Sequence, residues 1–146
     1  MNQSNYIKIE FPSKSSNEAF ARAAAAAFAT QLDPSMEELG DIKTAVSEAV
    51  TNSIVHAYPS VIGKISLRLR ILDGCILEIS VRDWGQGIAD VKTAMEPLYT
   101  TGGEDRSGMG FTIMDSFMDS LRVRSSPGKG TTVTMRRCIS PRAGRR

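Results

Sequence analysis

The sequence predicts one α+β domain spanning residues 1–146, and three features support that prediction. Several short segments alternate apolar and polar residues with the period of two that is typical of half-buried strands. Two longer segments repeat apolar residues at the helical spacing and begin at Ser-x-x-Glu, the pattern of a capped helix N-terminus. A long glycine-rich stretch separates them from the last elements. Strands and helices in this order are expected to form packed layers around one core.

The first half of the chain predicts one strand and two helices. Residues 6–11 alternate as a short strand that ends at Pro12. Ser15 and Glu18 predict a capping box for a helix over about 17–32, which Asp33-Pro34 ends. Its expected apolar stripe is Phe20, Ala24, Ala27 and Phe28.

A second capping box, Ser35 with Glu38, opens the most regular helix, which is expected to reach about His56 before Pro59. Its apolar residues follow the i, i+3, i+4, i+7 rule. They are Ile42, Ala45, Val46, Ala49, Val50, Ser53 and Ile54.

Two alternating strands follow, at about 64–72 and 75–83. A two-residue turn at Asp73-Gly74 would put their apolar faces out of register. A three-residue loop over 72–74, with Gly74 left-handed, pairs Ile71 with Cys75 and keeps the apolar faces together.

The last third begins with the glycine-rich segment 84–110, and loops of that length are usually functional. A helix over about 111–119 is expected next, and then a hairpin joins 121–125 to 131–137. The helix is expected to bury Phe111, Met114, Phe117 and Met118. Residues from about 138 to 146 are expected to be a flexible basic tail.

Composition limits the classes of protein to consider. Hydrophobic residues make up 41% and charged residues 23% of the chain, as in globular proteins. Neither a signal peptide nor a membrane-spanning stretch is visible, so we expect a cytoplasmic protein that binds no membrane. The two cysteines lack CxxC or histidine spacing and are expected to be free thiols.

The second helix carries an unusual polar series along one edge of its apolar stripe. Glu48, Asn52 and His56 recur at every fourth position, so they drift slowly around the helix and can face a common pocket. Polar residues at a helix border are also common, and the series alone does not assign a function.

Two glycine clusters add a possible ligand site. Asp83 ends a strand and is followed by Gly85 and Gly87, which allow the backbone to approach a ligand. Gly108 and Gly110 lead into a helix, where free N–H groups and the helix dipole favour phosphate. No Walker A sequence, G-x-G-x-x-G, catalytic triad or zinc spacing is present.

Together these motifs resemble, in order and spacing, the ATP-binding boxes of the gyrase, Hsp90, histidine-kinase and MutL superfamily. The boxes are E-x-x-x-N-x-x-x-H, D-x-G-x-G, G-x-G-F and G-T, read from Glu48 to Thr131. The resemblance implies a Bergerat-type α+β two-layer sandwich, with a mixed, mainly antiparallel sheet and three helices on one face. It implies ATP or ADP as ligand, with Mg²⁺.

The same resemblance assigns roles to residues. Glu48 would be the general base, Asn52 would hold Mg²⁺, and His56 would lie near the phosphates or be structural. Asp83 would accept the adenine amine, with Thr131 supporting it and Thr132 as the alternative. A lid over the triphosphate would span 100–110 and include Thr100, Thr101, Ser107, Gly108, Met109 and Gly110, and Phe111 just after it would also belong to the nucleotide site.

A narrower resemblance, to anti-sigma serine kinases, covers nearly the whole chain. It rests on SEAVTNSIVHAY, EPLYTTGGEDRSGMGFTIMDSFMD, GKGTTV and NEAFARAA. It implies a homodimer that holds a sporulation sigma factor and phosphorylates a serine of an anti-anti-sigma partner, without contacting nucleic acid. Arg22 would contact partners or be a solvated charge. Arg106 would reach phosphate or a partner, or form a lid salt bridge.

Three alternatives remain open. ATP could order the lid of a binding module without any phosphoryl transfer. The chain could be the related kinase of a general-stress sigma factor. It could also be a detached histidine-kinase domain, which would have to act in trans because it has neither a dimerising hairpin nor a spare histidine.

Overall fold

The computed structural model describes residues 1–96 and 109–140, which form a five-stranded sheet with its helices on one face. The strands are β1 (Gln3–Pro12), β2 (Lys64–Leu72), β3 (Ile76–Asp83), β4 (Ser120–Ser126) and β5 (Gly130–Cys138). The helices are α1 (Ser16–Ala29), α2 (Met36–Asn52), α3 (Val91–Ala94) and α4 (Gly110–Phe117). A 3₁₀ turn, Thr30–Leu32, extends α1, and a π turn, Ser53–Ala57, extends α2.

The predicted fold class is confirmed, with one difference in the sheet. Its strand order is β1-β2-β3-β5-β4, and all four pairings are antiparallel rather than mixed. Each neighbouring pair can be antiparallel because the helical connections return the chain to the appropriate end of the sheet. No described helix is long and apolar enough to cross a bilayer.

The core lies between the inner face of the sheet and the three longer helices. Alternation along β2 and β3 sends every second side chain inward, and these residues are almost fully buried. The inward residues are Ile65, Leu67, Leu69, Ile71, Leu77, Ile79 and Val81, which meet Ile42, Val46, Val50 and Met114 from the helices. The opposite face of the sheet has no helix against it in the described chain.

The first helix differs from its prediction. Ser15 has helical backbone angles, and its side chain makes no capping hydrogen bond. Glu18 instead accepts a short hydrogen bond from Ser47 of α2. The buried stripe is Ala21, Ala25, Phe28 and Ala29, and Phe20 is 56% exposed. The alanine-rich helix presents its small side chains to α2, so the phenylalanine at position 20 faces outward.

The second helix begins as predicted. The Ser35 hydroxyl accepts a hydrogen bond from the Glu38 N–H, and the Glu38 carboxylate accepts one from the Ser35 N–H. The α-helix ends at Asn52, four residues before the predicted end, because the chain widens into the π turn.

The central hairpin keeps the predicted parity but not the predicted loop. Leu72 pairs with Ile76 and Leu69 with Ile79, so the loop is 73–75 instead of 72–74. Asp73 and Gly74 both have positive φ, and the Cys75 carbonyl accepts a hydrogen bond from the Ile139 N–H of the chain after β5. Cys75 is thereby drawn out of the β2 ladder. It is a free thiol, and its Sγ lies 3.6 Å from the Sγ of Cys138.

Two further predictions differ from the structure. Phe117 is 36% exposed, whereas Phe111, Met114 and Met118 are buried as predicted. The predicted tail is anchored over its first residues, because Ile139 is buried and the Ser140 N–H donates to Glu38. Residues 141–146 lie outside the described chain.

Candidate functional site

A cavity of about 310 Å³ opens between the helix layer and one end of the sheet. The end of α2, the π turn and the start of α4 form one side, and the end of β3 and the start of β5 form the other. The loop after β3 closes the third side. The lining residues are Ala49, Asn52, Ser53, His56, Ala57, Asp83, Gln86, Gly87, Ile88, Ala89, Asp90, Ala94, Gly110, Phe111, Thr131 and Val133.

Asp83 is the most buried charged group in this wall, with an exposure of 3%. Its Oδ1 accepts hydrogen bonds from the N–H groups of Gly85 (3.0 Å) and Thr131 (3.1 Å). Its Oδ2 accepts one from the Ser53 hydroxyl (3.0 Å). Burial raises the pKa of Asp83, and these hydrogen bonds offset only part of that rise. Since a carboxylate has about four acceptor positions, one remains on Oδ2 for a donor in the cavity.

The π turn is held in place by the loop after β3. The Ala57 carbonyl accepts the Gln86 N–H at 3.0 Å, and the His56 carbonyl accepts the Gln86 side-chain amide at 2.6 Å. Gly85 lies so close that an added Cβ would be 2.3 Å from the Ala57 oxygen. π turns often occur at functional sites, and this one sets the side chains of Ser53 and His56 in the cavity wall.

Glu48 and Asn52 meet at the first residue of α4. A Cβ built on Gly110 would lie 3.2 Å from the Asn52 amide and 3.3 Å from the Glu48 Oε1. Both side chains therefore converge on the start of a helix, where backbone N–H groups have no helical acceptor. A carboxylate, an amide and free N–H donors together suit a site for phosphate and a divalent cation.

The structure brings together most of the predicted site residues in the described chain. Seven of them line the cavity: Asn52, His56, Asp83, Gly87, Gly110, Phe111 and Thr131. Gly85 lies behind Asp83, where it donates to the carboxylate. Met109 precedes α4, and its carbonyl accepts the Ile113 N–H. Thr100, Thr101, Arg106, Ser107 and Gly108 lie outside the described residues.

Arg22 lies away from the cavity, on the outer side of the α1–α2 pair. Its guanidinium is 3.3 Å from the Glu18 carboxylate and 3.4 Å from the Ser47 hydroxyl. The side chain is 40% exposed. Arg22 is thus a tethered surface charge, joined to the residue that precedes Glu48.

Sequence reasoning missed Ser53 and Gln86 as site residues. Ser53 belongs to the predicted apolar stripe. A hydroxyl group among aliphatic side chains is the one sequence signal that this residue has a buried hydrogen-bond partner. Gln86 gave no comparable signal, because its role depends on the π turn.

The side chains at this site fit a magnesium ion that is held mainly by the phosphate groups of a bound ligand. No group of three or more His, Cys, Asp or Glu residues within 1–96 and 109–140 could form a metal cage. Mg²⁺ in nucleotide sites usually takes few protein ligands, with phosphate and water supplying the others. The Asn52 amide, beside the Glu48 carboxylate, is suited to that arrangement.

Comparison with known proteins agrees with this geometry. Residues 11–137 match the family model of the histidine kinase-like ATPase domain. An anti-sigma F factor of Caldanaerobacter subterraneus subsp. tengcongensis is 58% identical over 140 residues, which is 95% of this chain and 97% of the relative. The chain belongs to the histidine kinase-like ATPase family, among the anti-sigma F factors. A second such factor, from Clostridium kluyveri, is 54% identical and covers 93% of this chain and 96% of its own.

Two solved structures share the fold of this chain. The RsbU and RsbW domains of a Mycobacterium tuberculosis protein match with a TM-score of 0.69 at 19% identity, over 96% of this chain and 33% of that one. The mycobacterial sensor histidine kinase MprB matches with a TM-score of 0.59 at 16% identity, over 92% and 100% of the two chains. At these identities the likeness concerns the fold alone.

Proposed function

We propose that this chain is an ATP-dependent anti-sigma kinase. It binds a sporulation sigma factor and transfers the γ-phosphoryl group of ATP to a serine of an anti-anti-sigma partner. The observation that carries the proposal is the convergence of Glu48 and Asn52 on Gly110, at one end of a cavity whose other side holds Asp83. The membership among anti-sigma F factors supports the choice of partners.

The remaining acceptor on Asp83 supports adenine as the base. The exocyclic amine of adenine is a donor, whereas guanine has a carbonyl oxygen at the corresponding ring position. A buried acceptor therefore favours ATP over GTP, because a buried carboxylate facing a carbonyl would lose a hydrogen bond and gain repulsion. Ser53 and the Gly85 and Thr131 N–H groups hold the carboxylate in one orientation.

The opposite end of the cavity supports phosphate binding. The start of α4 offers N–H donors, and Asn52 would hold the Mg²⁺ that neutralises charge on the phosphate oxygens. His56 lies in the same wall and would approach the phosphates from the π turn.

Glu48 is the group suited to activate the nucleophile. It is half-buried beside Asn52, one helical turn away, so a serine hydroxyl next to the γ-phosphate could donate its proton to this carboxylate. The serine oxygen then bonds to phosphorus as the bond to the β-phosphate oxygen breaks, leaving ADP.

The partner surface would lie on α1 and include Arg22. Its link through Ser47 to the helix that carries Glu48 gives partner and nucleotide a common element. Arg106 would contribute from the lid. We propose that the protein is cytoplasmic, because a protein that holds a sigma factor requires access to the transcription machinery. We also propose that it is a homodimer, as the resemblance to anti-sigma kinases implies.

The proposal is tested by incubating the protein with γ-labelled ATP and candidate anti-anti-sigma proteins, and then mapping the labelled residue. Label on one serine of the partner is expected. ATP-dependent sigma binding without label on any partner would leave a binding module and would contradict the kinase assignment. Label only on histidine would point to a histidine kinase.

A further inference from the structure

The face of the sheet opposite the helices carries an excess of positive charge. The register directs eight basic side chains to this face, against two acidic ones, Glu10 and Glu78. The basic residues are Lys8, Lys64, Arg68, Arg70, Arg82, Arg122, Arg124 and Arg136. The charge of the whole chain is only +2, so the remainder of the molecule is acidic on balance.

In one part of this face a carboxylate partly offsets the positive charge. Glu78 is 2% exposed, and Arg70 and Arg136, its neighbours on the adjoining strands, contact it at 2.6 and 2.8 Å. Arg68 adds a third contact at 3.6 Å. The row therefore reads arginine, glutamate, arginine across three strands.

Four residues further along the ladder toward the β4–β5 turn, a matching row lacks its acid. Arg82 and Arg124 flank Thr132 on the adjoining strands, just as Arg70 and Arg136 flank Glu78. Lys129 lies beside them at the turn, and together they border a concavity of about 190 Å³. None of these three cations forms an ion pair with any residue in 1–96 or 109–140, and all three are exposed.

Among the described residues, the one carboxylate that borders the concavity is Asp83, which also lines the larger cavity. Asp83 is 3% exposed and directs its oxygens to Ser53, Gly85 and Thr131. Two arginines and a lysine thus surround a site of side-chain size without an anion. Arginine forks match carboxylates in two parallel hydrogen bonds, which makes them well suited to such a ligand.

We propose that this basic concavity, formed by Arg82, Arg124 and Lys129 around Thr132, is a docking site for an acidic segment of a partner protein. A glutamate or aspartate of the partner occupies the position above Thr132 that Glu78 occupies in the neighbouring row. Trp84, which is 39% exposed and adjoins Arg82, provides an apolar edge for the segment. The site lies on the opposite side of Asp83 and Thr131 from the proposed nucleotide cavity, and the proposal does not depend on the kinase reaction.

Two other occupants fit less well. Single-stranded nucleic acid binds such grooves by stacking its bases on free aromatic rings. The Trp84 ring already has the Lys64 ammonium at 4.3 Å and the Arg82 guanidinium at 4.5 Å from its centre. A second copy of the same face would bring like charges together, which is unfavourable.

The test uses fluorescence anisotropy of a labelled peptide of alternating Glu and Gly, titrated with the full chain. Arg82→Gln with Arg124→Gln is expected to weaken binding by about tenfold or more. The reason is that the peptide carboxylate loses a charged hydrogen-bond donor at each substituted position. Thr132→Glu is expected to block binding similarly by supplying the missing acid within the chain, as Glu78 does. Binding by the unsubstituted protein should weaken markedly between about 50 and about 200 mM salt.

Matched controls separate the site from general charge. Thr132→Gln adds a side chain of the same length without charge and should bind within about threefold of the unsubstituted protein. Lys43→Gln with Lys92→Gln removes two exposed charges elsewhere and should behave likewise. Thermal unfolding of each variant shows whether it is folded.

Three results would overturn the proposal. The first is unchanged peptide binding by folded Arg82→Gln/Arg124→Gln and Thr132→Glu proteins. The second is tighter binding of an oligothymidine than of the peptide, which would assign the face to nucleic acid. The third is a change of oligomeric state in the double variant, which would make this face a contact between copies.

Discussion

At the scale of single residues, Asp83 combines two roles that usually oppose each other. Its carboxylate is buried and holds three protein donors, which fixes β3, β5 and the π turn around it. It also keeps one acceptor toward the cavity. A group with both roles would link the position of a bound adenine to the packing beneath it.

Asp83→Asn is expected to lower ATP affinity by about tenfold or more, since a charge-assisted hydrogen bond to the adenine amine is lost. Isothermal titration calorimetry with ATP and GTP measures this. Discrimination against GTP should fall at the same time. Ser53→Ala, which keeps the carboxylate, should have a smaller effect, and equal loss in both variants would argue against a direct contact with the base.

Residue identities at the candidate site were largely predictable because each has a chemical reason to occupy its place. An acid and an amide one turn apart, and an acid at a strand end before glycines, are visible in the sequence. Ser53 was not recognised, since its hydroxyl has a partner only after β3 packs against the helix.

At the scale of elements, two identical motifs have different outcomes. Ser35-x-x-Glu38 forms a full capping box, but Ser15-x-x-Glu18 does not, because Glu18 turns to Ser47 and Arg22. Arg22 lies one turn further along α1, but Ser47 comes from another helix, so no local pattern could distinguish the two motifs.

Replacing each serine in turn checks that difference. Ser35→Ala is expected to reduce the free energy of unfolding by about 1 kcal/mol, the usual worth of an N-cap. Ser15→Ala should change it by only a few tenths, since its side chain caps nothing. Denaturant unfolding of both variants provides the measurement, and equal losses would contradict the assigned caps.

The π turn marks the limit of pattern reading in α2. The fourfold spacing of Glu48, Asn52 and His56 fits a continuous α-helix, and only the close approach of Gly85 and the two bonds from Gln86 reveal the wider turn. Similarly, the hairpin parity followed from the apolar faces, whereas its loop depended on the contact between Cys75 and Ile139.

Gly110→Ala is expected to separate stability from activity. The φ of Gly110 is not in the left-handed region, so alanine suits the start of α4 and should leave stability unchanged or raise it by up to about 1 kcal/mol. The added methyl group would crowd Asn52 and Glu48 and so reduce phosphoryl transfer. Thermal unfolding and a transfer assay on the same sample measure both; a variant with full activity would count against the convergence of these side chains at the reacting centre.

At the scale of the whole molecule, the alternating strands determine which face of the sheet is buried, and this was predictable. Which side of each helix packs against that face was less predictable. Phe20 and Phe117 were expected inside and lie 56% and 36% exposed, because small side chains of α1 meet α2 and Met114 fills the space under α4. Which apolar side of a helix is buried depends on the neighbour it meets.

The outer face makes stability depend on pH through Glu78. Burial alone would raise the pKa of Glu78, but hydrogen bonds from Arg136 and Arg70, with their positive charge, hold the pKa below its usual value. The stabilisation that ionised Glu78 gives the folded state is present above the pKa of about 4.3 that glutamate has in the unfolded chain. It is lost as the pH falls through the lower pKa of the folded state. The raised pKa of Asp83 acts in the opposite sense, because protonation on acidification relieves a buried charge.

Glu78→Gln is therefore expected to be less stable than the unsubstituted protein at neutral pH, with a difference that narrows as the pH falls below about 4.3. Urea unfolding across that range gives both curves. A difference independent of pH would show that the Glu78 charge contributes nothing to folding.

The account as a whole depends on Glu48 acting as the base in phosphoryl transfer. The most direct measurement is single-turnover transfer from γ-labelled ATP to the anti-anti-sigma partner by Glu48→Gln, alongside ATP binding by the same variant. Transfer should fall by about a hundredfold or more while ATP affinity stays within a few fold, because the amide keeps the shape but cannot accept the proton. Transfer at the unsubstituted rate, with ATP still bound, would contradict the assignment.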